Sequence, residues 1–260
     1  MLRLLILPLV ASLALPAQGW ASECVARSSS ATAALVELYT SEGCSSCPPA
    51  DRWLSKLGRS GLRQGVVVPL ALHVDYWDYI GWRDPFARHR FSLRQRELAA
   101  LRRAGFVYTP QVLLQGRDFR AWGSAEFNDR VARINGQPAQ ADIRLVIVSV
   151  GKDSLAVEVR AELRAPKQAP SAALYLASYA SGLVSRVQAG ENEGRTLTHD
   201  FVATGWSGPI EFGPEGRIVA RRELPLRPGA TPAHAGVVAF VQDRRTADIL
   251  QALSLPACPG

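Results

Sequence analysis

A chain of 260 residues, 47% hydrophobic and 20% charged, carries enough apolar surface for a sizeable core and excludes wholesale disorder. The net charge is +7, but the basic residues are almost all arginine, with lysine only at Lys56, Lys152 and Lys167. No basic cluster interleaved with aromatics accompanies them, so the charge is read as a solvated surface and not as a nucleic-acid site. Ser/His/Asp nucleophile motifs, phosphate loops and nucleotide fingerprints are also missing, and no cofactor is expected.

Arg3 precedes the apolar run Leu4 to Leu15, and the small residues Ala17, Gly19 and Ala21 follow. That layout reads as a signal peptide over residues 1–21. Its apolar run is too short to cross a bilayer comfortably, and no later stretch is long and apolar enough to do so. The expectation is an exported protein, periplasmic or secreted, in a compartment where disulfides persist. The four cysteines then count in pairs. Cys44 and Cys47 form one by spacing, and Cys24 and Cys258, near the two ends of the mature chain, are expected to form a structural disulfide; the alternative is that both are free. Such a bond would give at most about 5 kcal/mol of chain-entropy stabilisation.

A strand is expected over Ala34 to Tyr39, then a polar turn with Cys44 and Cys47, then a helix. Ser46 can cap this helix, and Pro48 and Pro49 fit its first turn. Trp53, Leu54 and Leu57 give helical spacing, and Gly58 and Gly61 end it. Val66 to Val74 reads as a buried parallel strand despite Pro69. The segment His73 to Phe86, rich in aromatics and acids, lies at the C-terminal end of that strand, where loops border sites in such sheets. Phe86 to Ala104 is read as a helix, with a capping box at Ser92 and its arginines on a solvated face. Val107 to Gln115, carrying Thr109-Pro110, is the next strand, followed by a short one over Arg117 to Trp122 and a helix over Ala125 to Ile134 capped by Ser124.

From Gln137 the texture changes to β-type alternation. Strands are expected over Ile143–Val150, Leu155–Leu163, Ala172–Ala180, Thr196–Thr204, Gly216–Leu224 and Ala235–Asp243, with a short one over Ile249–Leu253. These suggest a small antiparallel sandwich packed beside the first domain. The polar stretch Gln188 to Asp200 reads as a long hairpin loop, from which Asn192, Arg195 and His199 could reach toward Cys44.

The order β-α-β-α-β-β-α over residues 33–136, with Cys-x-x-Cys after the first strand and Thr-Pro opening the third, resembles the minimal thioredoxin fold. The resemblance implies that Pro110 is cis and faces the cysteines, presenting backbone to a substrate together with Thr109. It also implies a buried carboxylate before the motif; Glu37 sits in the comparable place, one residue further from Cys44 than the pattern has it. The strings Glu37 to Asp51, His73 to Asp78 and Tyr108 to Gln111 further resemble a secreted thioredoxin-like family catalogued as a domain of unknown function, number 1223. The fold class is therefore α/β: a thioredoxin-like domain over 33–136 followed by a mainly antiparallel β-sandwich-like domain over 141–256.

The chemistry expected is that of a thiol–disulfide oxidoreductase on exported protein or small thiol substrates, with an unidentified redox partner. Cys44 would attack as a thiolate, its pKa lowered by the helix N-terminus to somewhere around 3.5–7.5, and Cys47 would resolve. Glu37, if buried, would accept the Cys47 proton. This reading needs a Cys44 that is reachable from solvent. Two alternatives stand beside it: a Cu(I) carrier using the two thiolates, with His73 as a further ligand, or an inert Cys44–Cys47 disulfide in a partner-binding protein.

Overall fold

The runs Ala34–Thr40 and Val67–His73 are buried along their whole lengths. Strands covered on both faces are read from continuous apolar sequence, and these two pair in parallel at the centre of the molecule. The computed structural model describes residues 24–59, 66–227 and 231–258; the expected signal peptide over 1–21 lies outside them, as does Gly61. Along the first half run β1 (Val25–Arg27), β2 (Ala34–Thr40), α1 (Pro48–Arg59), β3 (Val67–His73), α2 (His89–Leu101), β4 (Gln111–Leu114), β5 (Arg117–Asp118) and α3 (Ala125–Asn135). The second half comprises β6 (Ala141–Val150), β7 (Ser154–Leu163), β8 (Ala172–Ala180), β9 (Leu183–Arg186), β10 (Thr196–His199), β11 (Val202–Glu211), β12 (Arg217–Pro225), β13 (Ala235–Asp243) and β14 (Ile249–Pro256). The chain is mixed α/β and predominantly β.

An eight-stranded sheet in the order β14-β13-β8-β11-β3-β2-β4-β5 runs through both halves. Instead of packing beside the first half as a separate sandwich, the second half donates four strands to the same sheet. The join is the parallel pairing of β11 with β3, at Val202 and Ala71. Because β11 meets β3 only there, Pro69 needs no ladder donor on that flank, which is how a proline is accommodated in a buried strand.

Alternation along β2 assigns the two faces. Ala34, Val36 and Leu38 face α1 and α3, with Ala50, Leu54, Phe127, Val131 and Ile134. Leu35 and Tyr39 face the opposite way, in the same core as Phe91 and Leu98 of α2. On the α1 side the sheet is covered further along by a second sheet, β1-β6-β7-β12, which buries Leu145, Leu155, Val157 and Val159 against Leu174, Leu176, Val237 and Ala239. Cys24 and Cys258 are bonded, tying the start of β1 to the end of β14.

Several local expectations are corrected. The arginines of α2 do not all lie on a solvated face: Arg94 is buried. Ser92 forms no capping box; its hydroxyl is turned inward onto the Asp75 carboxylate, and the cap position is Arg88. The strand expected over Val107 to Gln115 is confined to β4, and the one over Arg117 to Trp122 to two residues. The strand expected over Thr196–Thr204 is broken at Phe201, whose φ of 57° lies in the left-handed region, so that β10 pairs with β9 while β11 enters the large sheet. Ser124 caps α3 as expected, its hydroxyl accepting from the Glu126 N–H at 3.3 Å.

Candidate functional site

Strand β2 ends in the turn Ser41–Cys47. The Cys44 N–H donates to the Ser41 carbonyl and the Cys47 N–H to the Cys44 carbonyl, each at 3.2 Å. The Cys47 carbonyl accepts from the N–H groups of Ala50 and Asp51 at 2.9 and 3.1 Å. Cys47 therefore occupies the cap position expected for Ser46, since the residue whose carbonyl accepts the first intrahelical bonds is the N-cap. The Ser46 hydroxyl lies instead 3.3 Å from Cys44 Sγ. Cys44 and Cys47 are joined by a disulfide at the positive end of α1. In this oxidised form Cys44 is 1% exposed and Cys47 0%. The open access expected of Cys44 is not present, although Ser45 and Ser46 beside it are exposed.

The Thr109-Pro110 peptide is cis. Register puts it beside the end of β2, because Gln111 pairs with Tyr39. Trp77 bridges this point to the cysteine turn. Its indole N–H donates to Thr109 Oγ1 at 2.7 Å, and its Cβ lies within 3.1 Å of where a side chain on Gly43 would begin. A side chain at Gly43 would make tight contacts that require Trp77 or Ile80 to yield.

Glu37 does not join this group. It stands at an odd position of β2, facing α2, whereas α1 packs on the even positions. Its carboxylate is fully buried and accepts from Arg94 Nε at 2.7 Å, with the Tyr39 hydroxyl at 3.4 Å. The role of proton acceptor for Cys47 is withdrawn from it on that geometry.

Beneath the cysteines lies a buried cluster of three acids and two imidazoles drawn from four segments. Asp51 follows Cys47 by four residues along α1, on the same side of the helix. His199 of β10 places Nε2 at 3.1 Å from Glu42 Oε1 and Nδ1 at 3.9 Å from Asp51 Oδ2. Glu42 accepts as well from the Trp82 indole N–H at 2.9 Å and the Ser185 hydroxyl at 3.1 Å. His73, at the end of β3, meets Asp84 Oδ2 at 2.7 Å through Nδ1, and Asp84 also accepts the backbone N–H groups of Glu42 and Phe86. The two imidazole rings lie edge to face at 4.9 Å. Sequence reasoning missed Asp51, Glu42 and Asp84 as partners. A signal for Asp51 existed: it is an acid beside Ala50 and three residues before Leu54, on the core-facing stripe of α1.

Burial and pairing shift the titration of three of these groups. Burial raises the Asp51 pKa, an effect that the nearby His199 and His73 only partly offset. Burial would also raise Asp84, but the His73 charge and hydrogen bond prevail and hold it below the usual range. For His73 burial works downward and the Asp84 carboxylate prevails, so its pKa is raised. The signs follow from linkage. The stabilisation due to Asp84 is present above the ordinary carboxylate pKa and lost as pH falls through its lowered value. That due to His73 is complete below about 6.5 and lost as pH rises through its raised value. Asp51, with its raised pKa, costs stability progressively as pH rises from the ordinary carboxylate value through the raised one, and the full cost is present above it. Asp51→Asn is therefore expected to gain stability over the parent at pH 8 and to gain less at about pH 4, close to the ordinary carboxylate pKa. Urea unfolding at the two pH values measures this; an equal gain at both would show that burial does not raise the Asp51 pKa.

A family model described as "Protein of unknown function (DUF1223)" matches residues 35–242, and the chain belongs to that family. No curated protein matches the chain. Among solved structures, the crystal structure of protein AGR_C_4864 from Agrobacterium tumefaciens is similar with a TM-score of 0.64 and 24% identity, over 90% of this chain and 98% of that one. HBP35 of Porphyromonas gingivalis is similar with a TM-score of 0.65 and 14% identity, over 88% of this chain and 76% of that one. At these identities the likeness concerns the fold alone. Among the described residues no helix is long and apolar enough to cross a membrane, and no group of three or more His, Cys, Asp or Glu is arranged to hold a metal ion.

Proposed function

We propose that the protein is an exported thiol–disulfide oxidoreductase of thioredoxin-like build, acting through Cys44 and Cys47 on exported proteins or small thiols. The observation that carries the reading is the Cys44–Cys47 disulfide closed at the N-terminus of α1, with a buried carboxyl one turn further along the same helix. The helix N-terminus favours a thiolate over a thiol at such a place, and the three-residue separation lets the second sulfur resolve a mixed disulfide.

In the direction that oxidises substrate, a substrate thiolate attacks Cys44 Sγ and the bond to Cys47 breaks. Cys47 leaves with the electron pair and takes the proton that Asp51 holds. A second substrate thiolate then displaces Cys44 from the mixed disulfide. Two electrons pass to the protein, which ends with Cys47 as a thiol and Cys44 as a thiolate, and the substrate ends as a disulfide. The reverse sequence reduces a substrate disulfide, and Asp51 then recovers the proton from Cys47. Asp51 takes the part that sequence reasoning gave to Glu37, because it is the acid whose pKa burial raises on the cysteine side of the sheet.

The test is reduction of insulin disulfides by a dithiol with catalytic amounts of the protein. Acceleration is expected for the parent, and a rate at the uncatalysed background for Cys44→Ser. Equal rates for the two proteins would remove the assignment. A second reading, an inert disulfide in a partner-binding protein, is favoured by one observation: the near-complete burial of Cys44.

A further inference from the structure

The backbone of the cysteine turn is held from the far half of the chain. Among the described residues, strands β9 and β10 pair only with each other and take no part in either larger sheet. The tip of this hairpin lies on the cysteine turn. Asn192, fully buried, donates through Nδ2 to the carbonyls of Glu42 at 2.8 Å and Cys44 at 2.9 Å, spanning Gly43. Its own carbonyl accepts from Arg195 at 3.0 Å, so its amide is held in one orientation. Glu191 places Oε2 at 2.9 Å from the Ser45 N–H. That carboxylate accepts from the backbone of a residue lying between the two cysteines, at the positive end of α1. Gly190, with φ +79°, leaves room for Ile80: a β-carbon there would come within 2.9 Å of Ile80 Cδ1. The same Ile80 methyl is 3.2 Å from the corresponding position on Gly43. Ile80 is thus wedged between the hairpin tip and the residue preceding Cys44.

We propose that the tip of the β9–β10 hairpin is a gate over the Cys44–Cys47 disulfide, latched by Asn192 and Glu191. The base of the hairpin is anchored through Ser185 and His199 to the Glu42 carboxylate, whereas the tip is held to the turn by main-chain contacts of two side chains. The base packs on α1 and is buried through Leu197 and His199, but neither strand belongs to a larger sheet, so the tip can lift without opening one. Lifting it frees the Cys44 carbonyl and the Ser45 N–H and uncovers the sulfur. The gate rests on the redox reading for its purpose, but its existence is measurable without it, and it accounts for a buried disulfide in a protein that exchanges thiols.

The experiment is reduction of the native full-length protein by the water-soluble phosphine tris(2-carboxyethyl)phosphine. The phosphine attacks one sulfur, water then hydrolyses the thiophosphonium, and two thiols and the phosphine oxide result. Alkylation and peptide mass spectrometry follow each disulfide separately, so Cys24–Cys258 serves as the internal reference. Asn192→Ala removes the latch, and Gly190→Val pushes the tip away from Ile80 while keeping Asn192. Each is expected to speed reduction of Cys44–Cys47 at least about tenfold, a change of about 1.4 kcal/mol in barrier, with Cys24–Cys258 unchanged. An unchanged rate at Cys44–Cys47 in both variants would overturn the gate, as would equal acceleration of both disulfides, which would indicate general loosening. No substrate enters this measurement, so an inactive protein in the insulin assay would remove the redox reading and leave the gate standing.

Discussion

Arg94→Leu, with Glu37 left in place, is expected to cost about 3–5 kcal/mol of stability, the range for breaking one side of a buried ion pair. The Arg94 guanidinium is buried. Its Nε donates to Glu37 at 2.7 Å and one terminal nitrogen to Gln242 at 3.2 Å. The faces of Tyr175, Trp206 and Phe240 lie 4.9–5.2 Å from its central carbon, close enough for cation–π attraction. Burial alone would lower its pKa, but the Glu37 carboxylate overrides that and holds it above its usual range. Leucine would leave the Glu37 carboxylate fully buried with only the Tyr39 hydroxyl, at 3.4 Å, beside it. The charge would then have to be carried unpaired or neutralised. The double variant Glu37→Leu/Arg94→Leu removes both charges and should recover a large part of the loss, because apolar replacement of a whole buried pair is often close to neutral. Urea unfolding of the two variants decides it. A single variant within about 1 kcal/mol of the parent, or a double variant no better than the single, would show that the pair is not what fastens α2 to β2.

The same residues mark where sequence was informative. The parallel core strands were readable because burial on both faces leaves an apolar run with no alternation, as in Val66 to Leu72 and, Glu37 apart, Ala34 to Tyr39. The turn and helix at Cys44–Pro49 were readable because proline and cysteine spacing are local signals. Arg94 was not, because an arginine among arginines on α2 looks solvated until a partner arrives from β2 and aromatic rings from β8, β11 and β13. Glu37 was legible as a buried acid, but its direction depended on which face α1 would take, and alternation along the strand put α1 on the other one. That Asn192 and His199 could reach the cysteine turn was legible, but the acids that His199 meets there were not, because Glu42 and Asp51 lie more than 140 residues away along the chain. Composition showed that the second half was β-rich. That its strands would extend the first sheet depended on the pairing of β11 with β3, a contact with no local sequence signature.

The central claim is that Cys44 can open to an incoming disulfide while the fold stays intact, and its most direct test is trapping. In Cys47→Ser no second sulfur remains to resolve a mixed disulfide. Exposed to oxidised glutathione at neutral pH, the Cys44 thiolate should attack one glutathione sulfur and release the other half as glutathione thiolate. The account predicts an all-or-none result by mass spectrometry of the native protein: one glutathione per chain at Cys44, and none in Cys44→Ser/Cys47→Ser. A Cys44 that stays unmodified in the folded protein, yet takes up glutathione once the chain is unfolded, would contradict it.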